Sequence, residues 1–350
     1  MRTYLRSEQR IFTAELGLLY SHVGELHGAG LNLFALRTER DVRGFSFATF
    51  YDSTSGTVSG VSGSGILNRT HRLRGFEFSG LLNLGSADGQ GFAAAGLGNL
   101  TQDFKGFQAA GLTNGSMQFQ GLQAAGLVNW ARGARGLQAA GILNRADGFR
   151  GLQAAGILNR AGAFSGLQAA GVVNVAGELS GFQLGIVNVA GDVHGVQLGV
   201  VNIAKRVDGT SVGLVSVADN GRVQPVLWTS SAQTLNAAAK FTVGPIYTQA
   251  GLGFARGNQT YTYELGLGAH FPVGRFFLEP GVHYSEMRST KKPFDHELIE
   301  YGHYRVAAGV DLGRVSPFGG AGLLQRFAHS SDAPSSVPLT VEVFGGAAFF

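Results

Sequence analysis

The densest group of titratable side chains lies between His283 and His303. Imidazole and carboxylate groups are common ligands of Zn²⁺ and the usual proton-transfer groups of enzymes. No His-Glu-x-x-His spacing occurs in the chain, so the helical zinc-protease motif is not supported. We therefore expect a solvated loop over residues 287–301 rather than a metal site. The group comprises His283, Glu286, Asp295, His296, Glu297, Glu300 and His303.

Other catalytic chemistry finds little support in the sequence. The serines and histidines show no spacing that identifies a nucleophile and its base. The chain contains no cysteine, which excludes disulfides and thiolate metal sites. We predict no catalytic residue, no metal and no cofactor, and therefore no enzyme.

A basic ridge is a second candidate site. Five arginines follow successive turns of a repeat and would attract anionic glycans or lipopolysaccharide. A solvated charged edge that protects the turns is the competing interpretation. The five are Arg132, Arg135, Arg145, Arg150 and Arg160.

Side-chain amides recur at a nearly constant period of 14 to 16 residues. The clearest unit is Gly-Leu-Gln-Ala-Ala-Gly-Ile-Leu-Asn, at residues 151–159. Repeated amides on stacked strands form hydrogen-bonded ladders, so we interpret both rows as structural. The asparagines are Asn68, Asn83, Asn99, Asn114, Asn129, Asn144, Asn159, Asn174, Asn188 and Asn202. The glutamines are Gln108, Gln123, Gln138, Gln153, Gln168, Gln183 and Gln197.

Two architectures can position these amides. In a β-solenoid each unit is one coil and equivalent residues stack directly. In an antiparallel barrel each unit is one membrane-crossing strand. The solenoid is favoured because the alternation of apolar with other residues shifts by one residue within the unit. Such a shift is expected at a corner between two short strands. We expect Ala154 and Ala155 to face a narrow interior. The early alternation of Phe12, Ala14, Leu16, Leu18 and Tyr20 favours the barrel.

The period ends near residue 221, and two-residue alternation follows. One face of residues 260–271 is Tyr, Tyr, Leu, Leu, Ala and Phe, and the other is Thr, Thr, Glu, Gly, Gly and His. A lipid-facing apolar exterior around a polar interior has this pattern. A soluble barrel with its apolar faces in the core is the alternative.

Eight strands are predicted in this region, with short turns and longer connections in alternation, as in outer-membrane barrels. The last strand ends in Phe350 and is similar to the insertion signal of bacterial outer-membrane proteins. The predicted strands are 223–231, 236–243, 246–255, 260–271, 276–286, 302–313, 316–327 and 339–350.

Composition limits the remaining classes. The net charge is +4 and the basic residues are dispersed, so no nucleic-acid partner is expected. No apolar run is long enough for a transmembrane helix. The start, Met1 to Glu8, has no apolar segment of the kind that secretory signals contain.

Gly181–Ala190 (Gly-Phe-Gln-Leu-Gly-Ile-Val-Asn-Val-Ala) and Gly195–Ala204 (Gly-Val-Gln-Leu-Gly-Val-Val-Asn-Ile-Ala) closely resemble the units of a bacterial family of surface-repeat-containing proteins. In that family such repeats precede a β-rich C-terminal segment. The resemblance implies an envelope or cell-surface location and assigns no activity.

We therefore predict an all-β chain with an N-terminal strand or cap (1–27), a β-solenoid of 14–16-residue coils (28–221) and an antiparallel eight-stranded β-barrel (222–350). The expected function is that of a non-catalytic outer-membrane or cell-surface protein with a structural or adhesive role. The bilayer is the expected partner, with glycans or lipopolysaccharide as further ligands. The alternative is one barrel of about 22 strands that forms a passive pore or transporter.

Overall fold

The computed structural model describes residues 11–255, 260–289, 299–327 and 339–350, and every regular element within these ranges is a β-strand. Asp295, His296 and Glu297 of the predicted polar group lie outside the described residues, as do parts of the predicted longer connections at 255–259, 287–301 and 328–338. The chain divides into two compact units, Met1–Gly185 and Ile186–Phe350.

The first unit is a stack of parallel strands that follow one another around successive coils. Its strands are β1 (Ile11–Gly17), β2 (Tyr20–Val23), β3 (Glu25–Asn32), β4 (Ala35–Thr38), β5 (Val42–Ala48), β6 (Tyr51–Ser64), β7 (Leu67–Ser79), β8 (Leu82–Gly85), β9 (Asp88–Ala95), β10 (Gly98–Ala110), β11 (Thr113–Ala125), β12 (Val128–Ala140), β13 (Leu143–Ala155), β14 (Leu158–Ala170) and β15 (Val173–Leu184).

Equivalent positions of the repeat lie beside each other in this stack. Asn114 pairs with Asn129 and Gln123 pairs with Gln138, in parallel strands β11 and β12. This arrangement is the predicted β-solenoid, and it has about 14 turns over the two units. The alternative of one large antiparallel barrel is wrong, because the repeated strands run in one direction.

The first strand also belongs to the solenoid. β1 pairs in parallel with β3, and Leu16 lies beside Leu31. The early alternation is therefore not the first strand of a barrel. Alternation over a few residues arises in a short coil strand as readily as in a barrel strand, because both have a period of two.

Close backbone approach between coils requires glycine at the position before the apolar-Gln pair. Gly151 has a φ of 130°, and a Cβ atom at this position would lie 2.1 Å from Gly136 O of the preceding coil. Only glycine adopts this backbone conformation without strain. The recurring glycine before the apolar-Gln pair thus permits the tight stacking of coils.

The second unit begins with parallel coil strands β16 (Val187–Leu198), β17 (Val201–Val212) and β18 (Val215–Ala218), and continues with antiparallel strands. These are β19 (Arg222–Ser230), β20 (Leu235–Val243), β21 (Ile246–Ala255), β22 (Thr260–Ala269), β23 (Phe271–Val273), β24 (Phe276–Ser289), β25 (Ile299–Val310), β26 (Val315–Phe327) and β27 (Leu339–Phe349).

The antiparallel strands close into the predicted eight-stranded barrel. Their order is β22-β21-β20-β19-β27-β26-β25-β24, and the pairing of β24 with β22 completes the ring. The short β23 pairs with the start of β24. Three tight turns, after Val243, Val273 and Val310, lie at one end of this barrel, because successive strands reverse direction.

Candidate functional site

The asparagine row forms a hydrogen-bonded ladder from Asn83 to Asn174 in the first unit and from Asn188 to Asn202 in the second. Asn114 Nδ2 donates to Asn129 Oδ1 at 3.0 Å and to Ala124 O at 2.7 Å, and the asparagines from Asn68 to Asn202 are 0% exposed. Donation to the next asparagine and to a carbonyl oxygen gives these buried amide groups the partners that burial requires. The same two bonds are made by Asn83, Asn99, Asn129, Asn144, Asn159 and Asn188. Ladder bonds of the same kind join Asn83 to Asn99, Asn99 to Asn114, Asn129 to Asn144, Asn144 to Asn159, Asn159 to Asn174 and Asn188 to Asn202.

The glutamine row forms a second ladder whose donors point the other way. Gln123 Nε2 donates to Gln108 Oε1 at 2.8 Å, towards the N-terminus, whereas the asparagine amides donate towards the C-terminus. All seven glutamines are buried. The same bond joins Gln138 to Gln123, Gln153 to Gln138, Gln168 to Gln153 and Gln183 to Gln168.

Carboxyl groups replace the amides in earlier coils. Asp52 lies beside Asn68 in the asparagine row, and Glu77 lies beside Ala93 in the glutamine row. Burial raises the pKa of Asp52 to about 6 and that of Glu77 to about 7, because a low-dielectric interior disfavours the carboxylate. Thr70 Oγ1 donates to Glu77 Oε1 at 2.7 Å. The sequence pattern did not single out either group.

A row of apolar side chains lies inside the solenoid beside the amides. The inward row next to the amides is Phe104, Phe119, Ala134, Phe149, Phe164 and Leu179. The expectation that Ala154 and Ala155 face the interior is wrong, because both line an open groove on the outer surface. The amide side chains of the two ladders and the apolar residues of this row already occupy the space between the sheets.

The outer corner of the coils is a continuous apolar surface, which we call the apolar edge. Each coil contributes one large apolar residue to its ridge, and the side chains of six successive coils are each 39–48% exposed. These residues are Leu97, Leu112, Leu127, Ile142, Ile157 and Val172. A second ridge consists of Phe92, Phe107, Leu122, Leu137, Leu152, Leu167 and Phe182. Between them, alanines and glycines form the floor of a groove of about 1040 Å³.

Two outward rows of residues flank the apolar edge, and neither contains an acid. Backbone register defines the first basic row as His22, Arg37, Ser53, Arg69, Leu84, Leu100, Gly115, Trp130, Arg145, Arg160 and Val175. It defines the second basic row as His27, Arg43, Ser59, Arg74, Gln90, Lys105, Gln120, Arg135, Arg150, Ser165 and Ser180.

The five predicted arginines do not form one ridge. Arg145 and Arg160 lie in the first basic row, Arg135 and Arg150 lie in the second, and Arg132 lies at the opposite corner of its coil. All five side chains are exposed. Among the residues that the structure describes, none of them forms a salt bridge or hydrogen bond with a carboxylate. Four of the five therefore lie beside the apolar edge with exposed side chains.

The barrel has an apolar exterior and a polar lumen. Leu265, Val282 and Val306 point outward and are 49%, 54% and 49% exposed. Glu264 and Arg305, on the alternate positions, are 2% and 5% exposed. This polarity excludes an arrangement in which the apolar faces form the barrel core. In the last strand, Val341 and Val343 are likewise exposed and Glu342 faces inward, and Phe350, which follows the strand, is exposed as well.

Ion pairs and aromatic rings fill the lumen. Arg305 binds Glu342 through Nε at 2.9 Å and Nη2 at 3.0 Å, and it binds Glu264 through Nη1 at 2.8 Å. Lys240 Nζ lies 2.8 Å from Glu279 Oε1. The cavity among these side chains has a volume of about 30 Å³. A larger cavity of about 290 Å³ lies towards the end of the barrel that carries the tight turns, and Lys240, His270 and Glu279 are among its lining residues.

The predicted polar group separates in the structure. His283 and His303 face the lumen, where His283 binds Glu264 at 2.9 Å and His303 binds Glu342 at 2.9 Å. Among the described residues, no group of three or more imidazole and carboxyl side chains could hold a metal ion. Glu286 and Glu300 are partly exposed and pair across strands β24 and β25.

Ser285, His303 and Glu342 form a hydrogen-bonded chain that the sequence did not reveal. Ser285 Oγ lies 2.8 Å from His303 Nε2, and these are the residue types of a hydrolase triad. Ser285 is 1% exposed, so a substrate carbonyl has no approach to Oγ in this arrangement. The chain is part of the lumen network, where each polar atom needs a partner.

No helix in the described residues has the length and hydropathy to cross a membrane. No protein-family model, curated protein or solved structure matches this chain.

Proposed function

We propose that this protein is a non-catalytic structural protein of the bacterial outer membrane, in which the barrel is a membrane anchor for the solenoid. The inverted polarity of the barrel supports this proposal most directly. Apolar residues at the outward positions of β22, β24, β25 and β27 would be unfavourable in water and favourable against hydrocarbon. The charged side chains Arg305 and Lys240 pair with carboxylates in the barrel lumen, as burial away from water requires.

The filled lumen supports an anchor rather than a pore. Eight strands enclose a space that side chains can fill, and here Arg305, Lys240 and their carboxylate partners occupy it. A passive pore needs a continuous aqueous path, which larger barrels provide. The proposed role therefore involves no transport through the barrel.

A contact within the second unit favours a periplasmic position for the coils of that unit. Gly244, in the tight turn between β20 and β21, lies so close to β17 that a Cβ atom would be 2.3 Å from Gly209 O. Short turns of outer-membrane barrels face the periplasm. A structural role in the periplasm follows more directly from this contact than adhesion outside the cell. Binding of glycans or lipopolysaccharide stays a prediction.

A matched pair of lysine variants tests the membrane barrel. Val306→Lys places a charge near the middle of β25, and Leu312→Lys places it beyond the end of that strand. We expect Val306→Lys to abolish the heat-modifiable folded band in lipid vesicles and Leu312→Lys to retain it, because a charge costs most at the bilayer midplane. Planar bilayers containing the wild-type protein should show no steady conductance.

Two results would contradict the proposal. One is a wild-type protein that is folded and monodisperse in detergent-free buffer. The other is equal insertion of the two lysine variants.

A further inference from the structure

We propose that the apolar edge of the first unit docks onto an anionic lipid surface, with the two basic rows contacting the headgroups. This site lies in the solenoid and is separate from the barrel. The inference rests on the proposed function only in that the protein acts at a membrane.

The length of the apolar edge is the first argument. Backbone hydrogen bonds connect its ridge from coil to coil, as from Leu112 N to Leu97 O at 3.0 Å and from Ile142 N to Leu127 O at 3.1 Å. The same ridge begins in the N-terminal coils with Leu19, Phe34 and Phe50. At about 4.8 Å per coil, the ridge from Leu19 to Val172 is about 48 Å long. Exposed apolar surface of this extent marks an interaction site.

The flanking charges are the second argument. Neither basic row contains a carboxylate, and among the described residues of the first coils only Glu39 pairs with an arginine of the rows, Arg37, at 3.2 Å. In the later coils the exposed acids Asp103, Asp147 and Glu178 lie at the opposite corner. Across the coil, charge and apolarity are therefore segregated, as in amphipathic segments that lie in a membrane interface. The basic members of the two rows are Arg37, Arg69, Arg145 and Arg160, and Arg43, Arg74, Lys105, Arg135 and Arg150.

Trp130 adds a third observation. It lies in the first basic row between Gly115 and Arg145, and its indole ring covers Gly115. Tryptophan is enriched at the boundary between hydrocarbon and headgroups, where its ring is half apolar and half polar. Arginine side chains beside it can extend their charged ends to the headgroups while their methylenes stay on the apolar surface.

The same charges disfavour a second copy of the chain as the occupant. Two solenoids packed edge to edge would bring Arg145 and Arg150 of each copy near those of the other. Neither row contains an acid that could compensate for this repulsion. An anionic bilayer supplies both hydrocarbon for the ridge and negative charge for the rows.

Single-cysteine variants test the inference, because the natural chain has no cysteine. Three variants are labelled with an environment-sensitive fluorophore: Ile142→Cys on the ridge, Asp147→Cys at the opposite corner and Val306→Cys on the outer face of the barrel. Leu127→Cys replaces the first if that variant does not fold. The labelled full-length proteins are reconstituted in phosphatidylcholine vesicles with and without phosphatidylglycerol, and quenching by brominated lipids is measured.

In phosphatidylglycerol vesicles we expect a blue shift and loss of fluorescence at position 142 and no change at position 147. Arg145→Gln combined with Arg150→Gln should reverse the change at position 142. Arg132→Gln, at the opposite corner, should leave it intact.

The barrel label separates the two proposals. Quenching at position 306 without quenching at position 142 would overturn the docking inference and leave the membrane anchor standing. No quenching at position 306 would instead refute the anchor. A third outcome is a blue shift at position 142 without lipid quenching, together with disulfide-linked dimers of the unlabelled Ile142→Cys protein. This outcome would show that a second copy covers the apolar edge, and it would also overturn the inference.

Discussion

Asn114 donates its side-chain amide to Asn129 Oδ1, 3.0 Å away in the next coil. Asn129 in turn donates to Asn144 Oδ1 at 3.0 Å and to Ala139 O at 2.7 Å. Because each amide is at once donor and acceptor, removal of one side chain leaves unsatisfied groups in neighbouring coils. The interior of this solenoid is therefore sensitive to single polar substitutions in a way that an apolar core is not.

Asn129→Ala should destabilise the coils around it. The substitution leaves one N–H of Asn114, the Oδ1 of Asn144 and Ala139 O without their partner, which costs about 3 kcal/mol. Hydrogen exchange in β11, β12 and β13 should become about a hundredfold faster where it follows local opening. Gln120→Ala removes an exposed amide in β11 and should leave these rates unchanged. Equal effects of the two variants would show that the ladder does not stabilise the stack.

Glu77 should make the first unit less stable as the pH rises. Its pKa of about 7 lies above the ordinary value of 4.5, so its contribution is fully present below pH 4.5 and is lost as the pH passes 7. Glu77→Gln should match the wild type at pH 4 and exceed it at pH 8 by up to about 3 kcal/mol. Hydrogen exchange of β6 and β7, corrected for the intrinsic pH dependence, measures the difference.

Glu178→Gln is the control, because Glu178 is exposed in the same unit. It should not alter the pH dependence of β6 and β7. Part of the pH dependence should persist in Glu77→Gln, since burial also raises the pKa of Asp52, to about 6. A Glu77→Gln variant as unstable at pH 8 as the wild type would contradict the assignment.

Ala134→Phe should stabilise the solenoid. Ala134 interrupts the inward aromatic row between Phe119 and Phe149, and a groove of about 630 Å³ borders the gap. A ring here would contact both neighbours, and filling such a gap contributes about 1 kcal/mol. Ala131→Phe, at an inward position that is 4% exposed, should destabilise by overpacking. Hydrogen exchange of β12 checks both, and faster exchange in Ala134→Phe would refute the interpretation.

Arg305→Ala should strongly destabilise the barrel. The substitution leaves Glu264 and Glu342 buried without their cation, a loss of about 3 to 5 kcal/mol. The urea concentration at which the heat-modifiable folded band disappears in lipid vesicles measures this loss. Arg275→Ala, which removes an exposed arginine at a tight turn, should leave the midpoint unchanged. A common midpoint for both variants would mean that the lumen network contributes nothing to stability.

Much of the fold followed from the period of the sequence. The recurring asparagines and glutamines, such as Asn159 and Gln153, identified equivalent positions in successive units. A fixed repeat of this length is typical of folds in which equivalent positions stack. The barrel strands were also predictable, since alternation over ten or more residues with turn residues between is a strong local signal. The Ser285–His303–Glu342 chain was not, because its members lie on strands β24, β25 and β27 and share no local pattern.

The sequence by itself determined which residues are equivalent, since a repeat needs no knowledge of contacts. Only the tertiary structure decided which side of each strand is inside. Asn144 and Gln153 face inward while Ile142 and Leu152 face outward, the reverse of the usual partition. The reason is cooperative: an amide is tolerated in the interior only when the next coil supplies its partner at hydrogen-bond distance. That condition depends on the rise between coils and the corner geometry, which no single unit of the sequence contains.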